Sequence, residues 1–149
     1  MLKINRQTDY AVRVILALAK QREGARLSSG EIMREMLIPA GLMPRIVAQL
    51  ARAELLNTFP GREGGLMLPR PASQITLRDV VEALEGPILL SECLQARDED
   101  DCPFRTNCPV SPKWGRVQVA MLREMAAITF ESLAQEALAA PVKIPGMVM

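Results

Sequence analysis

The sequence predicts a mainly α fold: a winged helix-turn-helix domain with a small β-hairpin wing, followed by a long C-terminal dimerisation helix. Three observations lead there. Leu, Ala and Met are abundant while aromatics are scarce, with one Trp, one Tyr and three Phe in 149 residues, a balance that favours helices. Three helical patterns come first and are followed at once by two short apolar runs around a glycine-rich turn, the order of a winged helix-turn-helix. Charge is also divided. Residues 1–75 hold eleven Lys/Arg against six Asp/Glu, and residues 76–149 hold seven against eleven. The basic half suits a polyanion and the acidic half does not.

The first helix is expected over residues 8–22, with Val12, Ile15, Leu16 and Ala19 on one face and Gly24 as its stop. Ser28-Ser29-Gly30-Glu31 reads as a capping box opening a short helix to about Met36. Ile38-Pro39 interrupts, and a third helix runs from near Leu42–Pro44 to about Ala53. Pro44 belongs at or near its first turn, because deeper in it would break a backbone hydrogen bond. Leu55–Phe59 and Leu66–Leu68, on either side of Pro60–Gly65, form the hairpin. Pro69–Ser73 is a hinge-like connector, and Thr76–Asp79 caps a helix that Gly86-Pro87 stops near Glu85. Residues 93–110 look irregular. Ser111-Pro112 then offers an N-cap with proline at the first helical position, for one helix from 112 to about 139. Its apolar residues, Val117, Val119, Met121, Leu122, Met125, Ile128, Phe130, Leu133 and Leu138, wrap more than one face, which suits packing on a second subunit as well as its own core. The expected organisation is 1–75 for DNA binding, 76–110 for connecting helices and a cysteine loop, 111–140 for dimerisation and 141–149 as a tail.

In such a unit the third helix enters the major groove and the wing touches backbone or minor groove. Its candidate contacts are Gly41, Leu42, Met43 and Arg45, with Gln49 one turn further on. Gly61 and Arg62 stand at the wing tip, where glycines allow close backbone approach. Ser28 and Ser29 offer hydroxyls to phosphate at a helix N-terminus. Against this, Arg45, Gln49 and Arg52 share a face that solvent alone would explain, and the hairpin would serve as a structural corner.

Cys93, Cys102 and Cys108 are the only cysteines and there is no histidine. Three clustered thiols suit an iron–sulfur cluster or zinc, both of which usually take four protein ligands. The spacing is neither a zinc-ribbon CxxC pair nor a ferredoxin run, and the bland reading is three ordinary or redox-active thiols. Without imidazole, the fourth ligand must be a carboxylate, a backbone or water oxygen, or a group from another chain. Asp98, Glu99, Asp100 and Asp101 are near in sequence, and Asp9 is the distant candidate. For Asp9 the bland alternative is stabilisation of the positive end of the first helix. An odd cysteine count, no export signal and no stretch long enough to span a membrane point to the cytoplasm.

Thr8-Asp9-Tyr10-Ala11-Val12-Arg13, the wing Gly61-Arg62-Glu63-Gly64-Gly65, the stretch Ile75 to Gly86, and the trailing three-cysteine loop with its long last helix together resemble the Rrf-two family of winged-helix transcription regulators. The resemblance covers the chain to about residue 139. It implies a homodimer on a pseudo-palindromic promoter site in double-stranded DNA, and an iron–sulfur cluster on Cys93, Cys102 and Cys108. In the NsrR-like branch the Asp of the Thr-Asp-Tyr motif, here Asp9, completes a 4Fe–4S centre from the partner subunit. Members of the IscR-like branch use a histidine shortly after the last cysteine, where this chain has Val110-Ser111-Pro112. Leu42-Met43 replaces the usual aromatic-Leu pair and Pro60 the usual wing arginine, departures that bear on the operator rather than the fold. The wider first cysteine gap leaves 2Fe–2S as an alternative.

The expected function is therefore a cluster-gated DNA-binding regulator, a repressor, that responds to redox state, nitric oxide or iron status. The runner-up is a cluster-free or zinc-bound regulator of the same fold. An enzyme or electron carrier finds little support: there is no histidine base, nucleotide loop or nucleophile motif.

Overall fold

The computed structural model describes residues 3–95 and 102–139. Helix α1 spans Arg6–Ala19. It begins two residues earlier than expected because the Asn5 side chain accepts the Thr8 N–H at 2.9 Å, an N-cap the apolar pattern does not reveal. Ala11, Val14, Ile15 and Leu18 form its buried face. Helix α2, Ser29–Met36, opens on the expected capping box: Ser28 Oγ accepts from the Glu31 N–H, and the Glu31 carboxylate accepts from the Ser28 N–H at 2.7 Å. Leu37, at φ 53°, ends it in the left-handed region, so Ile38 can turn into the core at 5 % exposure.

Helix α3, Met43–Arg52, carries Pro44 in its first turn and buries Met43, Ile46 and Leu50. Strands β1, Asn57–Phe59, and β2, Gly65–Met67, pair antiparallel with Thr58 opposite Leu66. Leu27 adds a one-residue bridge to Leu66 through hydrogen bonds of 2.8 and 3.0 Å. The wing glycines are needed for closeness within the protein. A Cβ on Gly64 would lie 2.0 Å from the Phe59 carbonyl oxygen, and one on Gly65 2.8 Å from that of Leu27.

A 3-10 turn at Ala72–Gln74 leads to α4, Leu77–Glu85, whose Thr76–Asp79 capping box forms as expected. Gly86, at φ 79°, stops it. A second 3-10 turn covers Glu92–Leu94.

The single last helix is corrected to two: α5, Ser111–Ala127, and α6, Phe130–Ala139. No proline or glycine marks the break. It is made by tertiary hydrogen bonds: Leu77 donates to the Ile128 carbonyl and Phe130 to that of Ile75, both at 2.9 Å. Thr129 then caps α6 by accepting the Ser132 N–H at 3.2 Å. The expected Ser111 N-cap is also corrected. The helix starts at Ser111 itself, and no side chain caps it.

Because of the break, α6 folds back onto α1 and places Phe130 in the core with Ile15, Ile32, Ile46, Leu50, Ile75 and Val80, all fully buried. Each such side chain contributes roughly 1.5–3 kcal/mol of burial. Helix α5 buries none of its residues. Among the described residues no helix is long and apolar enough to cross a membrane.

Candidate thiol centre and nucleic-acid interface

Cys93 sits in the 3-10 turn after α4, and Cys102 and Cys108 in the irregular stretch that feeds α5. That stretch is held by tight turns, with Arg105 N–H to the Cys102 carbonyl at 3.1 Å and Asn107 N–H to that of Phe104 at 3.0 Å. The three thiols, close in sequence, line one cavity of about 640 Å³, together with Glu92, Gln95, Arg105 and Ser111. All three are free. Ser91 Oγ lies 3.1 Å from Cys93 Sγ, and the Ser111 N–H donates to Cys108 Sγ at 3.4 Å. Hydrogen bonds from Ser91 and then Ser111, with the charge of Arg105, hold the Cys93 thiol below its usual pKa. Sequence reasoning missed Ser91, Glu92, Arg105 and Ser111. Their closeness in sequence to the cysteines was the available signal.

The donor set fits a thiophilic group: three sulfurs open onto one cavity, and the Cys93 thiol is held below its usual pKa. It is not a compact site for one ion, since among the described residues no three Cys, Asp or Glu side chains are grouped closely enough to hold one.

Asp9 is not brought to the cavity within the chain. It lies in the first turn of α1, half-exposed, paired with Arg13 at 2.7 Å, and lines a separate shallow depression with Lys3, Ile4, Asn5 and Arg6. Asp98, Glu99, Asp100 and Asp101 lie outside the described residues, as does the tail 141–149.

On α3, Arg45 is exposed, as is Gly41 just before the helix. Leu42 is half-buried against the core. Met43 is a correction: at 2 % exposure it anchors the helix start and is not available to DNA. Gln49 is half-buried, and its carbonyl accepts from the Gln7 amide of α1, a pairing the sequence did not suggest. Gly61 and Arg62 are exposed at the wing tip. Arg26 braces the wing from below, its guanidinium 3.7 Å from the Phe59 ring centroid. Ser28 is exposed and Ser29 half-buried at the start of α2. Ser28 Oγ is already the capping acceptor, leaving its O–H to donate. The Glu31 carboxylate shares that helix end, where the Ser28 backbone and side chain hold its pKa low.

Residues 4–136 match the family Rrf2, described as iron-dependent transcriptional regulator. Over 133 residues the chain is 35 % identical to protein aau3 of Rhizobium meliloti, covering 89 % of this chain and 84 % of that one. It is 26 % identical to the HTH-type transcriptional regulator NsrR of Oceanobacillus iheyensis over 89 % of both. In structure it is similar to CymR, the global cysteine regulator of B. subtilis, with a TM-score of 0.71 and 28 % identity over 91 % of this chain and 98 % of that one. This chain belongs to the Rrf2 family of winged-helix transcriptional regulators and is not an enzyme.

Proposed function

We propose that the chain is a homodimeric, cytoplasmic repressor whose hold on a pseudo-palindromic promoter site depends on an iron–sulfur cluster, 4Fe–4S in preference to 2Fe–2S. The observation that carries this reading is the convergence of Cys93, Cys102 and Cys108 on one cavity in a member of a family described as iron-dependent. Residues 1–75 bind DNA, 76–110 hold the sensing loop, and 111–140 join the subunits, chiefly through α5. Support for that joint comes from Val110, Trp114 and Val117, at one helical face and 43–52 % exposed, a patch that a second copy would cover.

When bound, the cluster supplies iron centres whose ligation changes with oxidation, nitric oxide or iron supply. The three thiolates would hold it to one subunit, and Asp9 of α1 would supply the fourth ligand from the other. To do so Asp9 must leave Arg13. That exposed pair is weakly held, worth at most about 1 kcal/mol. A carboxylate is a harder, weaker partner for iron than thiolate, so an Asp9 link would be the weakest of the four. Without that link, one subunit's first helix would be free of the other's cysteine loop and the two α3 helices would be free to change their spacing. Paired half-sites demand a fixed spacing, so the dimer releases its operator.

Asp9→Ala tests the link. Folding should be unchanged, while the cluster's decay in air should be at least several-fold faster. Unaltered decay and operator affinity would remove Asp9 from the mechanism.

A second reading is a cluster-free thiol sensor. It rests on Cys93, which is exposed and carries a lowered thiol pKa. Iron and acid-labile sulfide measured after anaerobic purification separate the two readings.

A further inference from the structure

Gln49 stands on the same outward flank of α3 as Arg45 and Arg52, where an amide would meet base edges. A free glutamine amide offers one acceptor and one donor group side by side, the pattern that pairs with adenine through its N6 amino group and N7. Here the amide is not free. The Gln7 Nε2 donates to Gln49 Oε1, while Gln49 Nε2 has no partner among the described residues.

Gln7 is itself firmly placed in the first turn of α1. Asn5 caps that turn, and the next residue, Thr8, is fully buried and donates to the Glu85 carboxylate at the end of α4. Glu85 also accepts the Asn5 N–H at 3.2 Å. The donor that engages Gln49 is therefore mounted on a turn clasped from two sides.

We propose that Gln7 is a positioning residue for base recognition: by occupying the Gln49 carbonyl it leaves Gln49 facing the major groove with N–H groups only. Such a face matches the O6 and N7 acceptors of guanine, or O4 of thymine. On adenine it finds only N7, beside an unfavourable amino group, and on cytosine only the amino group. Gln7 thus selects guanine or thymine at one position of each half-site without touching DNA. This rests on the reading of α3 as the recognition helix.

The test is selection of bound duplexes from a randomised library by the full-length protein and its variants, scored by base preference within each column so that uniform changes of affinity cancel. In the wild type, the column that Gln49→Ala flattens should hold guanine or thymine. Gln7→Ala should relax that column toward adenine by about tenfold, the scale of one good side-chain–base pair. Gln7→Glu can only accept, so it should take the Gln49 N–H groups, turn the carbonyl outward and move the column to adenine or cytosine. The melting temperature of each variant checks that the fold is intact. A wild-type column of adenine or cytosine would overturn the inference. So would a column that Gln49→Ala flattens but neither Gln7 variant moves. If Gln49→Ala and Arg45→Ala both leave every column unchanged, the recognition-helix reading fails, and the inference with it.

Discussion

The segment from Ser28 to Glu85 and the segment from Ser91 to Ala127 are built in contrasting ways. In the first, α2 and α4 open on complete capping boxes, and α3 starts on a proline that its first turn tolerates. Ile32, Ile46, Leu50, Ile75 and Val80 are fully buried. In the second, α5 begins without a side-chain cap, runs 17 residues and buries none of them. Its most organised feature is a cavity ringed by three thiols. The first segment has what it needs to fold. The second offers three free thiols and a helix that buries none of its residues.

The largest effect should separate the two most sharply. Cys108→Ala should reduce bound iron to less than about a tenth, because one of the three thiolates is lost, while helical content stays unchanged by circular dichroism. A variant that keeps its iron would return Cys108 to an ordinary thiol. Next comes packing. Phe130→Ala removes a fully buried ring and should cost about 3–5 kcal/mol in denaturant unfolding. Trp114→Ala, at 43 % exposure, should instead weaken self-association at least about tenfold by sedimentation equilibrium. Equal unfolding losses with unchanged association would erase the contrast drawn here.

Smaller still is the cap of α2: Ser28→Ala should cost about 1 kcal/mol, where removing the Ser111 side chain should cost α5 no capping hydrogen bond. The smallest effect is acid sensitivity. The folded state holds the Glu31 pKa below its reference value of 4.5. Its contribution is therefore present above that value and lost as pH falls through the lower folded one. Glu31→Gln should slightly flatten the acid limb of stability against pH. An acid limb identical to the wild type would show that this cap carries no linkage.

The same contrast explains what the sequence revealed. Capping boxes, the Pro44 start and the glycine turn are local chemistry, written within four or five residues, and each is present. The break at Ile128-Thr129 is not local. An apolar helical pattern runs through it, and only hydrogen bonds to Ile75 and Leu77, some fifty residues away, undo the helix. Met43 was misread although its spacing to Ile46 and Leu50, three and seven residues on, already puts it on the buried face of α3. The Gln7–Gln49 pair depends on a tertiary approach that no spacing encodes, whereas the cavity walls Glu92 and Arg105 lie beside the cysteines in sequence. The cysteines were legible as a cluster because they are the only three in the chain.

The central claim is that the state of the thiol-bound centre decides how tightly the dimer holds its promoter. The direct measurement is an operator titration of anaerobically purified protein, with and without its iron, at one salt concentration. The account predicts a brown, iron- and sulfide-containing sample that binds at least about tenfold more tightly than the stripped protein and regains that affinity on reconstitution. A colourless, iron-free anaerobic preparation that binds its operator as tightly as any reconstituted sample would contradict it.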